Sequence, residues 1–203
     1  MTTTQASIPT IDPAHDPARV IDVLSAAFHN DPVFEWIYPD DAWRGHAVPR
    51  LFASLTEAFS TRGQSRVTEA ADGVALWLPP GEELVPEEDF DAFVEQAIDD
   101  AGPAAERLMQ ALEIFGEHHP TEPHWYLGFL GVLPAHQGQG VGASLLRATL
   151  ERCDEAGEPA YLDATSADNR RLYERHGFQV VRELRLPGGP PVFPMRRDPS
   201  ATA

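Results

Sequence analysis

Apolar positions recur at helical spacing soon after the start of the chain. Val20, Ile21, Leu24, Ala27 and Phe28 share one face behind Asp16-Pro17, a capping acid followed by a proline at the first helical position. The pattern predicts a helix ending near His29. After Asn30-Asp31-Pro32 comes an aromatic-rich loop with Phe34, Trp36 and Tyr38. Val48, Leu51, Phe52, Leu55 and Phe59 then mark a second amphipathic helix, closed near Gly63. Two strands, Gln64 to Ala70 and Gly73 to Leu78, are joined by Asp72-Gly73, a hairpin signal, and Pro79-Pro80-Gly81 stops the second. Between Glu82 and Glu117 the helical period returns on an acidic background (Phe90, Phe93, Val94, Ala97, Ile98, then Leu108, Leu112 and Phe115 after Pro103). This predicts two helices inserted between strands as a lid or wall.

Trp125 to Val132 reads as a strand ended by Pro134. A glycine-rich turn leads into a helix with Val141, Leu145, Leu146, Leu150 and Cys153 inward, ended by Gly157. Tyr161 to Thr165 reads as a strand, Ala167 to His176 as a short helix before Gly177, and Phe178 to Leu186 as a strand. A last strand lies near Val192 to Arg196. The expectation is one α/β domain over 16–197, a mixed, mainly antiparallel sheet of six or seven strands flanked by helices, after a flexible segment 1–15.

The turn Gln137-Gly138-Gln139-Gly140-Val141-Gly142 carries the sharpest chemical signal. Between a strand and a helix, bare backbone N–H groups and the positive end of the helix dipole make an anion site. Glycine lets a pyrophosphate approach without a Cβ in the way. A dinucleotide-binding turn is the obvious competitor, but this turn lies late in the chain. Asp163 stands near the distance of the usual acidic partner, yet only short helix and hairpin pieces follow it.

The Q-x-x-G-x-G of Gln137, Gly140 and Gly142, preceded by Leu130-Gly131-Val132-x-Pro134 and followed by Asn169-x-x-x-Tyr173-Glu174-x-x-Gly177-Phe178, resembles the acetyl-CoA signature of GNAT N-acetyltransferases. The resemblance spans about His124 to Arg197, and within that superfamily it is most similar to puromycin N-acetyltransferase and its bacterial relatives. It implies a fold splayed between the fourth and fifth strands, an acceptor-side half (16–123) and an acetyl-CoA-binding half (124–197). It also implies that the backbone of Gly138, Gln139, Gly140, Val141, Gly142 and Ala143 holds the pyrophosphate, that Leu130, Gly131 and Val132 pair with the pantetheine arm like an extra strand, and that Asn169 hydrogen-bonds that arm.

Acetyl transfer to an amine needs a neutral nucleophile, a polarised carbonyl and a proton for the departing thiolate. Tyr173, one helical turn beyond Asn169, is the proposed acid, and N–H groups of the fourth strand are suited to the oxyanion. Many family members carry a glutamate base where this chain has Tyr126. Asp163 on the next strand is the replacement, with His124 as a second candidate. Ser166 stands where many members have Asn.

Composition narrows the partners. The net charge of −17 disfavours nucleic acid and anionic membrane and favours cationic ligands such as protonated amines. No apolar run approaches a membrane span, and the single cysteine excludes an intrachain disulfide, which reads as a cytoplasmic protein. All 15 basic residues are Arg, so Schiff-base and P-loop chemistry, both of which need Lys, are excluded. No metal is expected: Pro120 and Pro123 break any helical ligand pair among His118, His119 and His124. The acceptor is read as a small, aromatic or antibiotic-like amine met by Asp31, Phe34 and Trp36, with Tyr38, Trp43, Glu35, Asp40 and Asp41 nearby. A protein or peptide acceptor and a non-catalytic acetyl-CoA-binding module are the alternatives, and a homodimer is compatible with the sequence.

Overall fold

Three acids start the first three helices. In the computed structural model, which describes residues 10, 11 and 16–200, Asp16 accepts from the Arg19 N–H at the start of α1 (Pro17–Phe28). Asp31 caps α2 (Pro32–Ile37), and Asp40 caps α3 (Asp41–Arg62), accepting from the Trp43 N–H at 2.7 Å. The expected aromatic loop is therefore helical. Asp31-Pro32 is the same cap-then-proline signal that opens α1.

The strands are β1 (Thr10–Ile11), β2 (Arg66–Thr68), β3 (Gly73–Leu78), β4 (Trp125–Val132), β5 (Ala160–Ala164), β6 (Gln179–Val180), β7 (Leu184–Arg185) and β8 (Pro191–Arg197). They form an eight-stranded sheet in the order β1-β2-β3-β4-β5-β8-β6, with the two-residue β7 pairing β8 off that path. Every adjacent pair is antiparallel except β4 with β5. This is the mixed, mainly antiparallel sheet expected, with β1 and β7 as short additions. Apart from β1, the expected flexible segment 1–15 lies outside the described residues.

Strand alternation sorts two cores. Val74, Leu76 and Leu78 of β3 face α1, α2 and α3, together with the inserted pair α4 (Glu87–Ala101) and α5 (Ala105–His118). Ala75 and Trp77 face the other way, toward α6 (Val141–Ala156) and α7 (Ala167–Glu174), and meet Leu127, Leu145, Leu146 and Leu162 there. All six β3 residues are buried because both faces are covered.

The strand expected over Phe178–Leu186 is broken in two. Pro194 of β8 accepts from the Val181 N–H at 2.8 Å, but a proline has no N–H to return. The ladder stops, and the exposed stretch 181–183 separates β6 from β7.

Between β3 and β4 the register shifts at Leu76/Trp77: Leu76 pairs with Phe129, Trp77 with Leu127, and Gly128 is the extra residue of a β-bulge. A Cβ on Gly128 would stand 2.4 Å from Cζ of the buried Phe59. Gly128→Ala is expected to cost about 1–3 kcal/mol by overpacking, seen as a lower denaturation midpoint in urea. Gly116→Ala, in a helix with nothing within 4 Å of the new methyl, is expected to gain up to about 1 kcal/mol in the same measurement.

Candidate active site

The parallel pair β4–β5 holds together for three positions, Trp125↔Ala160, Tyr126↔Tyr161 and Leu127↔Leu162. Beyond the Gly128 bulge, β4 runs on to Val132 bonded to β3 alone, and β5 runs on bonded to β8. The sheet opens there into a wedge whose β4 edge carries main-chain groups that only water or an extended ligand can satisfy. Gly128, Phe129, Leu130 and Val132 are partly exposed along it. Gly131 turns to the opposite side, where a Cβ would meet Leu24 at 2.9 Å.

After β4 a short 3-10 turn, Pro134–His136, leads to Gly138 and Gly140, both in the left-handed region with φ +72° and +88°. Gly140 is the N-cap of the 16-residue α6, and no side chain caps that end. The first helical bond closes from Ser144 N–H to the Gly140 carbonyl at 3.0 Å, which leaves the N–H groups of the preceding turn without intrahelical partners. A bare, glycine-lined helix start beside an open strand edge fits a pyrophosphate followed by an extended arm.

Gln137 and Gln139 serve the turn through other atoms than those facing a ligand. Their side-chain amides donate to the Val132 and Ala135 carbonyls at 3.1 and 3.0 Å and brace it. The turn is also tied to the β2–β3 hairpin. Leu133 N–H donates to the Asp72 carbonyl, His136 Nδ1 lies 3.0 Å from the Asp72 carboxylate, and the Thr68 hydroxyl donates to that carboxylate while accepting from the N–H groups of Asp72 and Gly73.

Across the wedge, β5 passes into α7. Ser166 caps α7, accepting from the Asn169 N–H at 3.2 Å, and Asn169 Nδ2 lies 3.5 Å from the Thr165 hydroxyl. Tyr173, four residues along the same helix, is buried, with Phe178 at a ring distance of 6.0 Å. Burial, and then the charge of Asp31, hold its phenol protonated well above the ordinary range.

Asp163 lies where the wedge begins, one residue past the last β4–β5 pair. Burial raises its carboxyl to about 7 against the pull of the Tyr161 hydroxyl, which donates to it at 3.3 Å, and of the His118 charge. Around it the structure assembles rings that sequence reading had left scattered. His119 lies 4.8 Å from Tyr126 and 5.3 Å from Tyr161, and His124 4.9 Å from His119. Burial, then the neighbouring His124, lowers His119 to about 4. His124 Nδ1 donates to the Glu122 carbonyl at 2.7 Å, and its Nε2 is buried and unpartnered among the described residues. His118 reaches this cluster from the end of α5, where its Nδ1 donates to the Ile114 carbonyl. The signal that would have found the cluster is the β4–β5 register, which sets Tyr126 beside Tyr161.

The residues read as acceptor contacts are mostly engaged in the scaffold. Phe34 is buried in a ring cluster with Phe28 and Phe52, 5.2 and 5.6 Å away, because α2 turns it inward. Tyr38 is buried as well, and Trp43 donates its indole N–H to the Ala101 carbonyl. Trp36 donates to the Pro187 carbonyl at 3.2 Å and lies under the Arg107 guanidinium. Asp31 caps α2, accepting from the N–H groups of Val33 and Phe34, and its second oxygen accepts from the Thr165 hydroxyl. Cys153 is buried in the second core, its thiol pushed up to about 12, and does not reach the wedge as a nucleophile.

Among the described residues no group of three or more His, Cys, Asp or Glu is arranged to hold a metal ion. No helix among them is long and apolar enough to cross a membrane.

Comparison with known proteins places this geometry. The model of the acetyltransferase (GNAT) family matches residues 76–178, from β3 to the start of the last strands. An uncharacterised N-acetyltransferase of Schizosaccharomyces pombe is 26% identical over 196 residues, covering 85% of this chain and 74% of the relative. The crystal structure of a Corynebacterium glutamicum protein described as histone acetyltransferase HPA2 and related acetyltransferase superposes with a TM-score of 0.69 at 27% identity, covering 98% of this chain and 99% of that one. The arylalkylamine N-acetyltransferase 2 of Aedes aegypti shares the fold at 16% identity, with a TM-score of 0.59 over 96% of this chain and 100% of its own. With an open β4–β5 wedge, a bare glycine-lined start to α6 and a family model covering more than half its length, the chain belongs to the GNAT acetyltransferases, which use acetyl-CoA as co-substrate.

Proposed function

We propose that this acetyltransferase moves the acetyl group of acetyl-CoA directly to a small amine, and that the chemistry takes place at the mouth of the β4–β5 wedge. The observation that carries this reading is the conjunction of an unpaired β4 edge with an uncapped α6 start: one suits an extended arm, the other the phosphates at its end. Acetyl-CoA supplies the activated thioester. Residues Gly138 to Ala143 would hold its pyrophosphate, the backbone from Leu130 to Val132 its arm, and Asn169 a polar group on that arm.

Asp163 is assigned to take the amine proton. An alkyl ammonium with a pKa of about 10.4 is almost wholly charged at neutral pH, and a carboxylate near 7 is a far better match to it than an ordinary aspartate. Main-chain N–H groups along β4 stabilise negative charge developing on the acetyl oxygen. Tyr173, held protonated by burial, gives its proton to the departing thiolate.

The acceptor is assigned to the Asp163 side, against Tyr126, Tyr161 and His119. Aromatic walls beside a carboxylate favour a cationic amine. The end of the α4–α5 insert brings His118 and His119 over this side, which favours a small molecule over a protein chain. The resemblance to the puromycin-acetylating branch points the same way. The description of the Corynebacterium relative as a histone acetyltransferase favours a second reading, a lysine side chain of a protein. A CoA-release assay over aromatic and aliphatic amines, free peptide N-termini and lysine peptides separates the two by kcat/KM. Small amines are expected to lead, and peptides faster by orders of magnitude would reverse the assignment.

Three variants check the assigned roles. Acetyl-CoA is expected to raise the wild-type Tm, and Gly140→Asp to abolish that rise by putting a side chain and a negative charge where pyrophosphate sits. The ligand-induced shift is the readout, because a φ of +88° also strains any replacement of Gly140.

For Asp163, kcat/KM should fall about tenfold per pH unit below about 7, since only the ionised carboxylate accepts a proton. Asp163→Asn should lower activity and remove that limb, and a limb unchanged in the variant would assign it to another group.

Tyr173→Phe should lower kcat by about 10²–10⁴-fold with little change in KM for acetyl-CoA. Wild-type kcat under chemistry-limited conditions would take Tyr173 out of the mechanism.

A further inference from the structure

Asp31 is buried to 7% exposure yet carries three hydrogen bonds that join two distant parts of the chain. One carboxylate oxygen accepts from the N–H groups of Val33 and Phe34, at 2.9 and 3.4 Å, and so starts α2. The other accepts from the hydroxyl of Thr165, 134 residues away at the junction of β5 and α7. Asn169, on the first turn of α7, extends the chain of contacts by its amide to the same hydroxyl. Tyr173 follows one turn later and feels the Asp31 charge.

With both oxygens occupied by the protein, Asp31 has little left to offer an acceptor. Capping alone does not need this geometry: Asp16 and Asp40 start their helices from the surface with no such second partner among the described residues. A buried carboxylate is costly to keep unless its bonds are worth having, and the bond to Thr165 bridges the first helices to the segment that carries Asn169 and Tyr173. Among the described residues the Thr165 hydroxyl meets this carboxylate and the Asn169 amide, and both contacts lie at the first turn of α7.

We infer that Asp31 is a positioning residue for acetyl transfer, which through Thr165 fixes the first turn of α7 and thereby the places of Asn169 and Tyr173. The inference rests on the acetyltransferase reading above and replaces acceptor binding as the role of Asp31. Asp31→Asn keeps an acceptor for the α2 cap but turns toward Thr165 an NH2 that can only donate, so the hydroxyl, which already accepts from Asn169, loses the acceptor of its own proton. Thr165→Val deletes the hydroxyl at similar volume, and Thr165→Ser restores it.

Steady-state kinetics in both substrates on the wild type and four variants, with Asp31→Asn/Thr165→Val as the double variant, test it. Asp31→Asn and Thr165→Val should each lower kcat about tenfold and raise KM for acetyl-CoA a few-fold, with KM for the amine unchanged. The double variant should be no worse than the poorer single one, because both cut the same link, and Thr165→Ser should recover most of the loss.

A rise in amine KM confined to Asp31→Asn would restore the acceptor role and overturn the inference. So would wild-type kcat in Thr165→Val, or a lowered Tm with kcat per folded molecule intact. If Asp31→Asn fails to fold, the Thr165 pair decides alone. Absence of turnover and of an acetyl-CoA-induced Tm rise in the wild type would overturn the acetyltransferase reading instead, so the two failures are distinguishable.

Discussion

Everything distinctive in this protein follows from one refusal of main-chain pairing. Two parallel strands of five and eight residues share three pairs and then part, because β4 contains an extra residue at Gly128 and bends there. Phe59, packed where a Cβ would stand, keeps that residue a glycine and holds the bend from the α3 side. An open edge inside a sheet would ordinarily be a liability. Here it is flanked by helices on both faces, and under the proposed function it gives an extended thioester arm a place to lie, with its reactive end assigned to the side of Asp163 and Tyr173.

The two faces of the wedge do different work. On the α6–α7 side the groups proposed to meet a ligand are main-chain N–H groups and glycines, and the Gln137 and Gln139 side chains brace the turn. On the α3–α5 side the useful groups are rings and one carboxylate, and burial governs their protonation: Asp163 up to about 7, His119 down to about 4. Asp163, the proposed base, is thereby matched to neutral pH, although Lys is absent from the chain and Glu from the strand position where the family often has it.

The acetyl-CoA half was legible in the sequence because its determinants are local. Gly138, Gly140 and Gly157 all adopt positive φ, and the strand, turn and helix that contain them are contiguous. The acceptor half was less so. Asp31-Pro32 repeats the cap-then-proline of α1 and starts a helix where a loop is expected, and Phe34 on α2 and Tyr38 at its C-terminal cap are turned into the core. The break between β6 and β7 depends on Pro194 of a partner strand, and the ring cluster around Asp163 depends on the β4–β5 register and on where α5 ends. The bond from Thr165 to Asp31 spans 134 residues. None of these is a pattern along the chain, and each exists only once strands have found their partners.

The ties from the Asp72 turn to Leu133 and His136 give the glycine-rich turn before α6 its footing on the β2–β3 hairpin, near the margin of the sheet. Margins open at lower free energy than the centre of a sheet. If that turn holds the co-substrate as proposed, warming should cost this enzyme its grip on it while most of the fold is still intact, so that thermal inactivation precedes thermal unfolding and bound co-substrate delays both.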